Sequence, residues 1–297
     1  MSIEFLKYSK IYFILSGILI LAGLSSIFVF GLEPGIDFTG GSILEVEYQG
    51  ERPDNQAVRE KLAGFDLGEI SIQPADEKGL ILRMKEISEE VHQEIIGSLG
   101  KDDEVKELRF ESIGPVVGRE LREKTVIVIV LSLLAIMFYI AIAFRKLSFP
   151  AKSWQYGLVS LVALFHDALI PMGIFSVLGR FYGIQITIPV IVALLTVLGY
   201  SINNTVVVFD RIRENLLKRA GRNYENTVNI SLNQTLARSV NTSLTTLLVL
   251  LAIFFFGGET LKYFSLMLIL GIVAGTYSSL LLTGPLLVVW LKWQKRI

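Results

Sequence analysis

Two rhythms of apolar and polar residues divide this chain. Residues 11–31, 125–144, 155–178, 184–209, 239–256 and 263–291 are apolar almost without interruption. Each run is long enough, at about 1.5 Å per helical residue, to approach or span a hydrocarbon core of roughly 30 Å. Between the first two runs, from Gly41 to Ile113, the pattern becomes alternating. It predicts strands near 43–49, 69–74, 80–85 and 105–111 and helices near 54–64 and 88–99, the first with Pro53 at its start and the second opening on Ser-Glu-Glu. The order β, α, β, β, α, β is the ferredoxin-like succession, and roughly 75 residues suits one small sheet covered by two helices. The predicted fold is therefore a membrane protein with six transmembrane α-helices and one α+β ferredoxin-like extracytoplasmic domain. Its parts are an N-terminal tail and first span over 1–33, a βαββαβ domain over 34–122, and the second to sixth spans over 123–297, with a cytoplasmic loop at 210–238.

Composition strengthens this reading. Hydrophobic residues make up 52% of the chain, and the mean hydropathy of +0.55 exceeds that of ordinary soluble domains. The first apolar run is too long for a cleavable signal peptide and lacks a small-residue cleavage site, so it is expected to remain as an anchor. The formal charge is balanced, yet residues 33–124 carry 22 acidic and 12 basic side chains, leaving a compensating basic excess elsewhere. That excess sits in short segments beside the spans: Lys7 and Lys10; Arg145, Lys146 and Lys152; Arg211 to Arg222 with Arg238; and Lys292, Lys295 and Arg296. By the positive-inside rule these segments are cytoplasmic, both termini are inside, and the alternating domain is outside.

Several chemistries are excluded. The chain has no cysteine and only two histidines, His92 and His166, so thiolate and histidine metal sites are not expected, and neither is any cofactor. The outer domain scatters its carboxylates among lysines and arginines, as a solvated acidic surface does. No nucleophile and base pair up within the spans, which argues against an intramembrane hydrolase or any other enzyme. Two glycine-rich segments bracket the outer domain, GIDFTGG (Gly35, Asp37, Gly40, Gly41) and SIGPVVGREL (Gly114, Gly118). They suit tight turns where a domain leaves the membrane surface, and neither has the strand-to-helix context of a phosphate loop.

The candidate chemistry lies in the membrane. Asn203 and Asn204 end one apolar stretch and precede another, Val206 to Phe209, so a helix through them holds both amides within the bilayer. Polar groups at that depth mark a transport pathway or an interhelical contact. Asp167, beside His166, sits mid-span, where a carboxylate costs several kcal/mol unless paired, hydrated or protonated. It serves either helix packing or a hydrated pathway, with His166 as a packing or interfacial partner. Arg238, Thr242 and Thr245 fall on one helical face beside Asn241, a stripe expected to face another helix. Arg238 alone is also readable as an arginine anchoring a cytoplasmic helix end. Asp210, Arg211, Arg213 and Glu214 read as a charged helix end, and Asn226, Asn229, Asn233 and Gln234 belong to a segment that partly follows the inner surface. Gly271 and Gly275 have the spacing of close helix packing.

In order and spacing, GIDFTGG, SIGPVVGREL, LFHD, GYSINNTVVVFDRIREN, SLNQTLARSVNTSLTTLL, FFFGGE and GTYSS closely resemble the SecF branch of the SecD/SecF protein-export family, relatives of the resistance-nodulation-division transporters. The resemblance covers essentially the whole chain. It implies a multi-pass protein of a bacterial or archaeal plasma membrane that pairs with a SecD-like subunit. It also implies use of the proton-motive force to help an exported polypeptide cross after SecA and the SecYEG channel have begun. Beyond these proteins and the membrane lipids no partner is implied, and no nucleic acid. The resemblance makes Arg238 a member of the proton network and places a proton-carrying aspartate where this chain has Asn204. An amide cannot titrate near neutral pH. Three readings accommodate it: a substitution that fixes one conformational state, a lineage in which SecD supplies the acid, or coupling to Na⁺ helped by the amide oxygen. A non-conducting subunit that stabilises SecD and the translocon is the alternative function, and a half-size lipid or drug exporter is disfavoured by the small outer domain.

Overall fold

The computed structural model describes residues 3–75, 77–100, 104–143 and 151–294. Of the cations used to orient the chain, Arg145, Lys146, Lys295 and Arg296 lie outside the described residues. The elements run α1 (Ser9–Phe30), α2 (Ile36–Thr39), β1 (Gly41–Tyr48), α3 (Asn55–Leu62), β2 (Ser71–Ala75), β3 (Gly79–Met84), α4 (Glu89–Leu99), β4 (Val105–Ile113), α5 (Pro115–Ala143), α6 (Ser153–Tyr182), α7 (Ile188–Leu217), α8 (Tyr224–Phe256), α9 (Glu259–Leu281) and α10 (Thr283–Trp293). Two units result, one from residues up to Glu33 together with Val128 onward, the other from Pro34 to Ile127.

The smaller unit is a four-stranded sheet in the order β2-β3-β1-β4 with every neighbouring pair antiparallel. This is the split βαβ arrangement of ferredoxin-like folds. Alternation along β1 and β3 sends Leu44, Val46, Tyr48, Leu80 and Leu82 to one face, where they meet Val58 and Leu62 of α3 and Ile95 and Leu99 of α4. These helix pairs are spaced i, i+4, so each helix offers one stripe. Full burial of such side chains from water stabilises by about 1.5–3 kcal/mol each. Asp54 caps α3 by accepting from the Ala57 N–H at 2.7 Å, whereas Ser88 stands at the start of α4 without a side-chain cap. Pro74 is tolerated because β2 is an edge strand.

The two glycine segments meet at one end of this sheet. Gly40 and Gly41 have φ of 76° and 123°, which a side chain would strain. A Cβ on Gly40 would lie 2.7 Å from the Pro115 Cα, and one on Gly118 would lie 2.8 Å from the Gly40 nitrogen. Backbone therefore crosses backbone where β1 begins and α5 starts. Gly114 is less crowded, its nearest neighbour being the Glu86 carboxylate. Gly35 precedes α2, and Asp37 occupies the first turn of that helix.

Among the described residues, six helical stretches are long and apolar enough to cross a membrane. Between apolar helices in lipid there is little hydrophobic drive, so association depends on close packing and on polar contacts. Both are present. A Cβ on Gly173 of α6 would lie 2.5 Å from the Gly23 Cα of α1, and one on Gly271 of α9 would lie 2.2 Å from the Val197 side chain of α7. Tyr156, Leu164, Leu198, Phe209, Leu232 and Leu287 are buried in the apolar cluster between α6, α7, α8 and α10.

Two boundaries differ from the sequence expectation. The loop expected at 210–238 is almost wholly helical: α7 continues to Leu217 and α8 starts at Tyr224, capped by Asn223, which accepts from the Asn226 N–H at 2.8 Å. Its polar residues resemble a loop in composition, but their hydroxyls and amides are used along helices. Thr227, Ser231 and Thr235 repeat every fourth residue, and each donates back to a carbonyl of its own helix. Asn229 and Asn233, also i, i+4, grip the N-terminal backbone. Their oxygens accept from the Phe5 and Ile3 N–H groups at 2.8 Å, and their amides both donate to the Ile3 carbonyl. The last span is broken at Leu282, between α9 and α10. Pro285 has no N–H to continue the ladder and its ring crowds the carbonyl four residues back.

Candidate functional site

Helix α7 carries polar side chains toward three different surroundings. On its inner side Ser201 donates to the Asp167 Oδ2 of α6. The same oxygen accepts from Ser278 Oγ of α9 at 2.7 Å, while Asp167 Oδ1 lies 2.8 Å from His166 Nδ1. Asp167 and His166 are both 0% exposed. The imidazole stacks on Tyr277 at 5.7 Å between centroids. The Tyr277 hydroxyl donates to the Tyr12 carbonyl at 3.0 Å and lies 3.1 Å from Ser16 Oγ, so the network reaches α1. Hydrogen bonds to a charged group are worth about 1.5–3 kcal/mol each, the scale needed to offset a carboxylate held in the bilayer. His166 Nε2 has no partner among the described residues.

Toward α8 the helices run antiparallel. Tyr200 donates to Ser243 Oγ at 3.4 Å, and Ser243 pairs with Thr276 Oγ1 at 2.6 Å. Nearer the other end Asn215 donates from one amide nitrogen to Ser231 Oγ and Gln234 Oε1, both at 2.8 Å. One helical turn from the Tyr200 and Ser243 level this register brings Asn204 and Ser239 to the same height. Asn204 is 4% exposed and Ser239 2%, and Asn204 Nδ2, Ser239 Oγ and Thr205 Oγ1 are buried without a partner among the described residues.

Outward, Asn203 is exposed, as are Arg238, Asn241, Thr242 and Thr245 on α8. The hydroxyls of Thr242 and Thr245 turn back to their own helix, donating to the Arg238 carbonyl at 2.8 Å and the Asn241 carbonyl at 3.1 Å. The stripe thus faces no other helix among the described residues. Below it a cleft of about 290 Å³ brings Asp210, Arg211 and Glu214 of α7 opposite Gln234, Thr235 and Arg238 of α8. Glu214 is held by Arg211 at 2.7 Å and by Lys218 at 2.6 Å, and Arg213 lies 3.7 Å from Asp210. Arg238 has no ion-pair partner among the described residues.

The structure therefore brings Asp210 and Arg238 to one cleft, sets Asn204 within the α7 and α8 interface, and places Asp167 in a separate cluster inside the chain. Ser201 and Ser278, which bond Asp167, and Tyr277, which stacks on His166, are contacts that the sequence expectation did not include. Their signal was present in hydroxyls within otherwise apolar runs, GYS and GTYSS. No group of three or more metal-ligating side chains gathers among the described residues.

These features define a multi-pass membrane protein with an α+β domain inserted after its first span and a polar seam between its later helices. Residues 93–293 match the model of the protein export membrane protein SecD/SecF C-terminal region, and residues 25–51 match the SecD/SecF GG motif. The chain is 41% identical to the protein translocase subunit SecF of Thermobaculum terrenum, over 97% of this chain and 94% of that one. It is 35% identical to the protein translocase subunit SecF of Synechocystis, over 99% and 96%. Among solved structures it superposes on SecDF of Thermus thermophilus, a translocon-associated membrane protein, with a TM-score of 0.84 and 34% identity. It superposes on SecDF in a super-membrane-facing form with a TM-score of 0.70 and 33% identity. The chain covers 98% and 99% of itself in these matches but spans only 39% of each SecDF chain. The chain belongs to the SecD/SecF protein-export membrane protein family.

Proposed function

We propose that the chain is the SecF-type half of a SecD–SecF assembly that assists polypeptide export and is not itself an enzyme. The observation that carries this reading is the outward stripe of Asn203, Arg238, Asn241, Thr242 and Thr245. Polar side chains facing lipid within a span are costly, so a second helical bundle is expected to cover them. A SecD-like subunit is the partner whose chemistry fits, since the matched SecDF chains contain a counterpart of this chain within a longer polypeptide. With the basic segments at Lys7, Lys152, Arg211 and Lys292 on the cytoplasmic side, both termini are inside and the antiparallel sheet is outside, where it would meet the emerging polypeptide. SecYEG and SecA act upstream in this scheme.

Coupling to the proton-motive force runs, in this reading, through the seam between α7 and α8. Asn203, Asn204, Arg238 and Thr242 line its approaches, and Asp210 borders the cleft. Asn204 carries no proton, so the titrating acid comes from the partner and this chain supplies Arg238 and the amides. Asp167 is a positioning residue: its bonds to Ser201 and Ser278 fix α7 against α6 and α9. The glycines at 35, 40, 41, 114 and 118, with Asp37, shape the junction beside β1. A second reading, a non-conducting subunit that stabilises its partner, is favoured by Asn204 itself. Export driven by the proton-motive force in a SecF-depleted membrane separates the two when this chain is compared with Asn204→Asp and Arg238→Ala. Loss of drive in Arg238→Ala, compared at matched amounts of assembled complex, supports the coupling role. Equal export by all three chains would reject it and leave the stabilising role.

A further inference from the structure

An apolar groove of about 360 Å³ lies between the first turns of α6 and the last turns of α10. Leu158 and Val162 form one wall, and Val289, Trp290 and Trp293 the other. Trp154 meets Trp290 edge to face at 5.2 Å between centroids. The chain has three tryptophans, and all of them stand here, Trp154 53% and Trp293 82% exposed. None of their indole N–H groups is hydrogen-bonded within the described residues. Gln155, next to Trp154, donates to Gln294, next to Trp293, at 3.1 Å.

Two lysines neighbour these tryptophans in sequence. Lys152 immediately precedes α6, is exposed, and forms no ion pair among the described residues. Lys292 lies on α10 between Trp290 and Trp293, and its exposed ammonium is shared with Glu225 at 2.9 Å. The groove is the size of a small-ligand site. Tryptophans and lysines at the end of a span mark the level of the headgroups, and basic pockets between membrane helices favour anionic lipids.

We propose that this groove is a binding site for an anionic phospholipid, one acyl chain lying along Leu158, Val162 and Val289 and the phosphate held by Lys152, Lys292 and the indole N–H groups. Because every tryptophan of the chain borders the groove, intrinsic fluorescence reports it directly. The full chain is placed in phosphatidylcholine nanodiscs, and quenching by a small fraction of brominated phosphatidylglycerol is compared with the same fraction of brominated phosphatidylcholine. The expected result is several-fold stronger quenching by the anionic lipid, reduced by salt and by Lys152→Gln with Lys292→Gln, and not competed by glycerol phosphate, which lacks acyl chains. Val162→Phe, which fills the groove and leaves the lysines in place, should weaken quenching by the anionic lipid. Equal quenching by the two lipids overturns the proposal, as does an anionic excess that the lysine substitutions leave intact. Failure of either lipid to quench, as when a partner helix or a second copy occupies the groove, overturns it too.

Discussion

The inner and outer faces of α7 treat polar groups in opposite ways. On the inner face Asp167 is completely enclosed, and among the described residues two hydroxyls donate to it, Ser201 from α7 and Ser278 from α9. On the outer face Asn203 and, across on α8, Arg238 and Thr242 are exposed, with no side-chain partner from another helix among the described residues. Ser201 and Asn203 stand two residues apart on α7, so composition does not distinguish the two faces. What distinguishes them is whether the partners are encoded in the same chain. A cluster closed within the chain sets the internal architecture, whereas the exposed stripe is where we place a neighbouring subunit.

Substitutions should separate the two faces by what they damage. The largest effect is expected for Asp167→Ala, which strands His166, Ser201 and Ser278 in the interior. It should lower the stability of the isolated chain by roughly 3–5 kcal/mol, read by denaturant titration in detergent, with Asp167→Asn costing less because an amide still accepts. Gly271→Leu comes next. It forces a side chain into Val197 and should cost roughly 1–3 kcal/mol, pushing α7 from α9 and weakening the Ser201 bond as a secondary effect. Asn215→Ala removes two bonds between α7 and α8 and should cost about 1–3 kcal/mol, again in the isolated chain. The smallest effect on stability, within about 0.5 kcal/mol, is expected for Arg238→Ala and Asn203→Ala. Both should instead weaken co-purification with a SecD-type partner by about tenfold or more, or about 1.4 kcal/mol. An Arg238→Ala chain as unstable as Asp167→Ala would erase the distinction.

Much of this architecture is legible in the sequence because it rests on local pattern. Apolar runs specify the six spans, and alternation with i, i+4 pairs such as Val58 with Leu62 specifies the sheet and its helices. The region 210–238 misleads because Asn229, Asn233 and Ser231 have the composition of a loop, while their partners lie on the N-terminal backbone and on α7, distant in sequence. The break before α10 was signalled by Pro285 but submerged in hydrophobicity. Asp167 stands out as a lone carboxylate in a span. Its partner Ser278, 111 residues away, does not, since a serine in an apolar helix usually satisfies itself on its own backbone. The outward exposure of Arg238 and Thr242 was equally hidden, because a polar stripe predicts that a neighbour exists without saying which chain provides it.

Cysteine cross-linking tests the central claim most directly, because the chain has no native cysteine to confuse the result. A single Thr242→Cys chain, co-expressed with a SecD-type partner bearing one cysteine at a time along its spans, is treated with an oxidant in the intact membrane. The account predicts a covalent SecD–SecF heterodimer from Thr242→Cys and none from Ser278→Cys, buried in the Asp167 cluster. A heterodimer from Ser278→Cys, or none from Thr242→Cys at any partner position, would contradict it.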